Sequence, residues 1–106
     1  MIKAVFTDKQ IDAEKEILRK KIFFALLIVD PNTKDNYPDV DVDATFADLQ
    51  DTIAGVNEVL GNPVELIDVA AKIAMALKEF HKPDFTYKKY RKFILDAGNT
   101  IMKIGG

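Results

Sequence analysis

Residues 45–80 read TFADLQDTIAGVNEVLGNPVELIDVAAKIAMALKEF, and this stretch decides the fold. Phe46, Leu49, Ile53, Val56 and Leu60 recur at alternating spacings of three and four, which lines one face of a helix. Thr45 reads as its N-cap, with Asp48 three residues on as the reciprocal acid of a capping box. Gly61 suits the left-handed residue that ends a helix. Asn62 then reads as the cap of a second helix, with Pro63 at its first position and Glu65 as the capping-box acid. So short a connection makes the two helices adjacent and antiparallel.

The second helix of the pair is apolar over most of its circumference. Leu66, Ala70, Ile73, Leu77 and Phe80 form one seam, and Ile67, Ala71 and Ala74 widen it. Val69, Met75 and Ala76 carry the apolar surface further, leaving Glu65, Asp68, Lys72 and Glu79 as a polar stripe. Such a helix is either buried on several sides or keeps a face for another chain. Ile67, Val69, Met75 and Ala76 exceed what one seam needs, and they are the candidate partner-binding residues. Loop valines, the apolar end of the first helix or another chain must cover them.

Working outward, Thr7 with Gln10 forms a capping-box pattern, and Phe6 with Ile11 a hydrophobic staple, so the first helix starts at about Asp8. Ile11, Leu18, Ile22, Ala25 and Val29 mark its face, broadened by Ile17, Phe24 and Ile28, and Glu16 stands at the favourable spacing to pair with Lys20. Residues 1–6 are too few to assign. Residues 30–44, DPNTKDNYPDVDVDA, are a long acidic loop broken by two prolines, with Val40 and Val42 placed to tuck onto the core. Beyond His81-Lys82-Pro83, Asp84 or Thr86 caps a last helix. Its seam is Tyr90, Ile94, Ala97, Ile101 and Ile104, with Phe93 alongside, and Gly105 and Gly106 close it. The expected fold is all-α: one domain, an antiparallel four-helix bundle with helices at about 8–29, 45–60, 63–81 and 85–104.

Composition removes several classes of function. The 106 residues include no cysteine and no serine, which excludes disulfides, Ser-His-Asp sites and Cys-His sites. No glycine-rich phosphate loop is present. The chain does not open with the basic stretch and apolar core of a signal peptide, and its longest apolar run, 22–29, is about half of what spans a bilayer. A cytoplasmic, non-enzymatic protein without a cofactor is expected. The net charge of −2 is segregated: +2 over residues 1–29, −9 over 30–68 and +5 over 69–106. Such segregation gives attraction between solvated faces, or steers a charged partner.

Three groups of residues invite chemistry. Asp39, Asp41 and Asp43 match the first, third and fifth positions of a calcium loop, but Ala44 replaces the turn glycine and Gln50 the bidentate glutamate. They read as a solvated loop, with no metal expected. Lys82, Lys88, Lys89, Arg91 and Lys92 form a basic patch interleaved with Tyr87, Tyr90 and Phe93, the ingredients of a nucleic-acid surface. Tyr90 belongs to the core seam and the whole chain is acidic, so a solvated helix face is the reading preferred over nucleic acid. His81 is the single histidine and has no second ligand at zinc spacing.

The stretches TFADLQDTIAGVNEVLGNPVELIDVAAKIAMAL and FTYKKYRKFILD, about two thirds of the chain with what joins them, resemble small helical proteins of phages and prophages of Gram-positive bacteria. Tail-assembly chaperones resemble it most, through helices of this type and an F-T-Y-x-x-Y-like helix opening. That resemblance implies a protein that binds other phage proteins or itself. Bacteriocin immunity proteins, four-helix bundles of this length, are a rival resemblance, implying a protein that binds a toxin, a receptor or a host enzyme. Neither transfers a functional residue.

Overall fold

Four α-helices carry the fold: α1 (Asp8–Leu27), α2 (Val42–Val59), α3 (Val64–Phe80) and α4 (Tyr87–Ile101). The computed structural model describes residues 8–104, so the Thr7 capping box, the Phe6 staple, the first six residues and the closing glycines lie outside the described residues. Apart from one 3-10 turn at Lys34–Asn36, no other regular element and no strand occurs among them. The apolar run at 22–29 is the end of α1 and the turn after it.

Each helix packs against two others, α1 on α2 and α4, and α3 on α2 and α4. The shared core takes Leu18, Ile22 and Ala25 from α1, and Phe46, Leu49, Ile53 and Val56 from α2. Leu66, Val69, Ile73 and Ala76 come from α3, and Tyr90, Ile94, Ala97 and Ile101 from α4. A Val, Leu, Ile or Phe side chain fully buried in this way stabilises by about 1.5–3 kcal/mol. The seams expected on α2 and α4 are the buried ones, while Leu60 and Phe93 are only partly buried against the core.

The seam on α3 is not the expected one. Val69 and Ala76 are buried, while Ala70, Leu77 and Phe80 are only partly so, and the helix is turned by roughly 60° from the anticipated face. Two contacts mark the flanks of the buried face. Gln50 Nε2 donates to the Ala70 carbonyl (3.2 Å), marking the α2 side, and Thr100 Oγ1, which donates to the Asp96 carbonyl (2.9 Å), lies 3.3 Å from Asp68 Oδ2, marking the α4 side. Val69 and Ala76 lie between those flanks. Glu79, assigned to the polar stripe, is consequently buried.

The helix ends differ from expectation for local reasons. α2 starts three residues before Thr45, because the Asp41 carboxylate accepts from the Ala44 amide (3.2 Å) and caps it. The extra turn lets Val42 pack against the core, with Val40 beside it, and Thr45 bonds back to the Asp41 carbonyl instead of capping. At the other end Gly61 is left-handed (φ 81°), as is Asn62 (φ 59°). The Asn62 amide donates to the Asn57 carbonyl (2.8 Å) and the Gly61 amide to that of Glu58 (3.4 Å), the paired bonds of a Schellman ending. Asn62 therefore closes α2 rather than opening α3, whose first turn has no side-chain cap.

α1 ends at Leu27, and its last carbonyls are all engaged. The Phe24 carbonyl accepts from Ile28, Leu26 from Val29 and Asp30, and Leu27 from the Thr33 hydroxyl. The Ala25 carbonyl accepts from the Tyr90 hydroxyl, reaching across from α4. Buried carbonyls at a helix end need such partners. On the exposed side, Glu16 pairs with Arg19 (3.0 Å) rather than with Lys20.

Candidate interaction surface

The three aspartates of the candidate calcium loop are put to separate uses. Asp41 caps α2, and Asp43 Oδ1 lies 2.7 Å from His81 Nε2, joining the start of α2 to the end of α3. Asp39 is exposed in the turn before them. Among the described residues, no three His, Cys, Asp or Glu side chains gather as a metal site would require. His81 also meets the ring of its neighbour Phe80 edge-on at 5.3 Å.

The basic patch keeps its cations but not its aromatics. Lys82, Lys88, Lys89, Arg91 and Lys92 are all exposed. Tyr90 is fully buried and Phe93 is partly buried against the core. Tyr87 donates its hydroxyl to Asp30 (3.0 Å), anchoring α4 to the end of α1. Stacking on bases requires free ring faces, and these rings are spent on packing.

Burial, and then the hydrogen bond to Asp30, push the Tyr87 hydroxyl up to about 12 from its usual 10. Burial pushes that of Tyr90 up further. In the folded chain these hydroxyls therefore keep protons that the unfolded chain gives up near pH 10. Stability from this source is fully present below pH 10 and falls as pH rises from about 10 through 12. Thermal unfolding across that window is expected to show a falling midpoint, with the tyrosinate absorbance of Tyr87 and Tyr90 delayed to higher pH in the folded chain than in the unfolded one.

Glu79 reveals what holds the α3–α4 link. Its Oε2 accepts from the Thr86 amide (3.4 Å) at the start of α4, and its Oε1 pairs with Lys82 (3.3 Å). A glutamate in the last turn of an apolar helix reads as solvent-facing, and only the position of the link reveals its partners.

An open groove of about 580 Å³ lies between α1 and α4. Phe23, Phe24 and Leu27 line one wall, Leu95, Gly98 and Met102 the other, with Ile22 and Ile94 below and Glu16, Arg19, Lys20 and Asn99 along the rim. Phe23 is 53% exposed and Met102 58%, large apolar side chains left to solvent at its edge. A Cβ built at Gly98 meets nothing within 4 Å, so the groove is open at that point. Periodicity did not find this surface, because Phe23 and Met102 fall outside both seams. A glycine within α4, Gly98, was the available signal.

The four candidate partner-binding residues are divided by the structure. Val69 and Ala76 are fully buried within the chain and cannot face a partner. Ile67 remains 66% exposed and Met75 46%, on the side of α3 away from the core. No helix among the described residues is long and apolar enough to cross a membrane. Compared with family models, curated proteins and solved structures, the chain matches none.

Proposed function

We propose that this chain is a cytoplasmic, non-enzymatic protein-interaction module. In this reading it is an antiparallel four-helix bundle with a long acidic loop between α1 and α2, and it takes the apolar face of a partner helix into the α1–α4 groove. The observation that carries the reading is the pair of exposed apolar side chains, Phe23 and Met102, standing over an open groove between two helices. Helices lay apolar faces into such grooves, and exposed apolar surface of this kind marks interaction sites. Lys20 on the rim and the basic outer face of α4 favour a partner helix with acidic flanks. Proteins rather than nucleic acid are its partners, since the rings beside the cations are committed to the core.

The resemblance to tail-assembly chaperones makes the partner another phage protein, and this chain an assembly or accessory factor. An immunity or inhibitor protein would use the same groove on a toxin, receptor or host enzyme. Co-expression of the tagged protein with the products of the genes flanking its own tests both. One flanking product is expected to co-purify with the wild type and to be lost with Phe23→Asp, at unchanged circular dichroism. A structural tail protein in that position supports the assembly role, and a toxin the immunity role. Equal retention by Phe23→Asp, or no retained product, would overturn the groove reading.

A further inference from the structure

We propose that the outward face of α3 pairs with the same face of a second copy of this chain, the two helices running antiparallel about a two-fold axis. This surface is distinct from the α1–α4 groove, and the inference stands independently of that reading. Val64, Ile67, Ala71 and Ala74 are all exposed, at successive spacings of three, four and three. Val64 is 72% exposed, Ile67 66% and Met75, beside them, 46%. This is the seam of a coiled-coil pair, facing solvent on the side of α3 opposite the core. Val64 and Ile67 open the seam, and Ala71 and Ala74, with Met75 beside them, continue it and let a second backbone approach closely.

Charge chooses the occupant and its direction. Glu65 and Asp68 accompany the first half of the seam, and Lys72 and Lys78 the second half. Two copies laid antiparallel bring the acidic half of each against the basic half of the other. A parallel pair would set acid against acid and base against base. The surface is therefore complementary to itself under a two-fold rotation, which is what an isologous dimer requires. A seam on a helix of 17 residues, about 25 Å long, is small beside a standard interface of about 800 Å² per partner. The dimer is accordingly concentration-dependent, and forms in the micromolar range or above.

Sedimentation velocity over a range from low micromolar to millimolar protein tests the pairing. Wild-type mass is expected to rise from 11.9 kDa toward twice that value. Two double variants separate the charges: Glu65→Lys with Asp68→Lys makes the seam wholly basic, and Lys72→Glu with Lys78→Glu makes it wholly acidic. Each is expected to remain monomeric alone at millimolar concentration with an unchanged circular dichroism spectrum. Their equimolar mixture is expected to dimerise at least as well as the wild type. Should one variant fail to fold, Ala71→Glu, which sets like charges against each other at the centre of the pair, replaces it and must abolish the dimer. A wild type that stays monomeric at millimolar concentration, charge variants that dimerise alone, or a mixture that does not associate would each overturn the proposal.

Discussion

Ala76→Lys is expected to lower stability by about 3–5 kcal/mol or to abolish cooperative folding, while Met75→Lys, one residue earlier, stays within about 0.5 kcal/mol of wild type. The two positions are adjacent in sequence and equally apolar in pattern, and they differ by about 100° around the helix. Ala76 is fully buried between the sides of α3 marked by Gln50 and Thr100, where a lysine side chain overpacks the core and its ammonium group is taken out of water. Met75 lies on the outward face with nearly half its surface in water. Urea unfolding at low micromolar protein, where self-association does not contribute, measures the difference. Similar losses at both positions would mean that α3 is turned differently from the description given above.

Tyr90 supports the second large effect. It is fully buried, and its ring lies 6.0–6.3 Å from those of Phe46, Phe80, Phe85 and Tyr87, drawn from three helices and the α3–α4 link. Its hydroxyl also serves the Ala25 carbonyl, which the end of α1 leaves without a main-chain partner. Tyr90→Ala removes both contributions and is expected to cost about 3–5 kcal/mol. Tyr90→Phe keeps the ring and orphans the carbonyl, costing about 1–3 kcal/mol. A Tyr90→Phe variant as stable as the wild type would show that water or another donor reaches Ala25. The ratio of the two losses separates packing from hydrogen bonding.

These two residues show how far the sequence could be read. Tyr90 belongs to a seam of alternating threes and fours, and its burial follows from that spacing alone. Four helices and the absence of strand among the described residues follow from the same periodicity. Ala76 does not yield to this method, because a helix apolar on nearly every side has no unique seam. Which face of α3 turns inward is set by its packing against α2 and α4, between Gln50 at Ala70 and Thr100 near Asp68, and no local pattern announces that. The caps failed for a related reason. Asp41 and Thr45 are both good N-caps, and Val42 decided between them by packing against the core. The aspartate template was legible as incomplete, and the structure gives its members to a cap, an imidazole and solvent. The groove escaped notice because it lies between seams, in the space that Gly98 leaves open.

That glycine supplies the most direct test of the claim that the α1–α4 groove is the working surface. Gly98→Phe adds a ring where a Cβ meets no atom within 4 Å, so the side chain grows into the groove and not into the core. Replacing a glycine within a helix also removes a cost of up to about 1 kcal/mol in helix propensity, which guards the fold. Calorimetric titration of the co-purifying flanking-gene product into wild type and Gly98→Phe, beside thermal unfolding of each, is the decisive measurement. The expected result is affinity weakened by about tenfold or more, equivalent to at least about 1.4 kcal/mol, with a melting temperature no lower than wild type. Undiminished affinity in a folded Gly98→Phe variant would contradict the account.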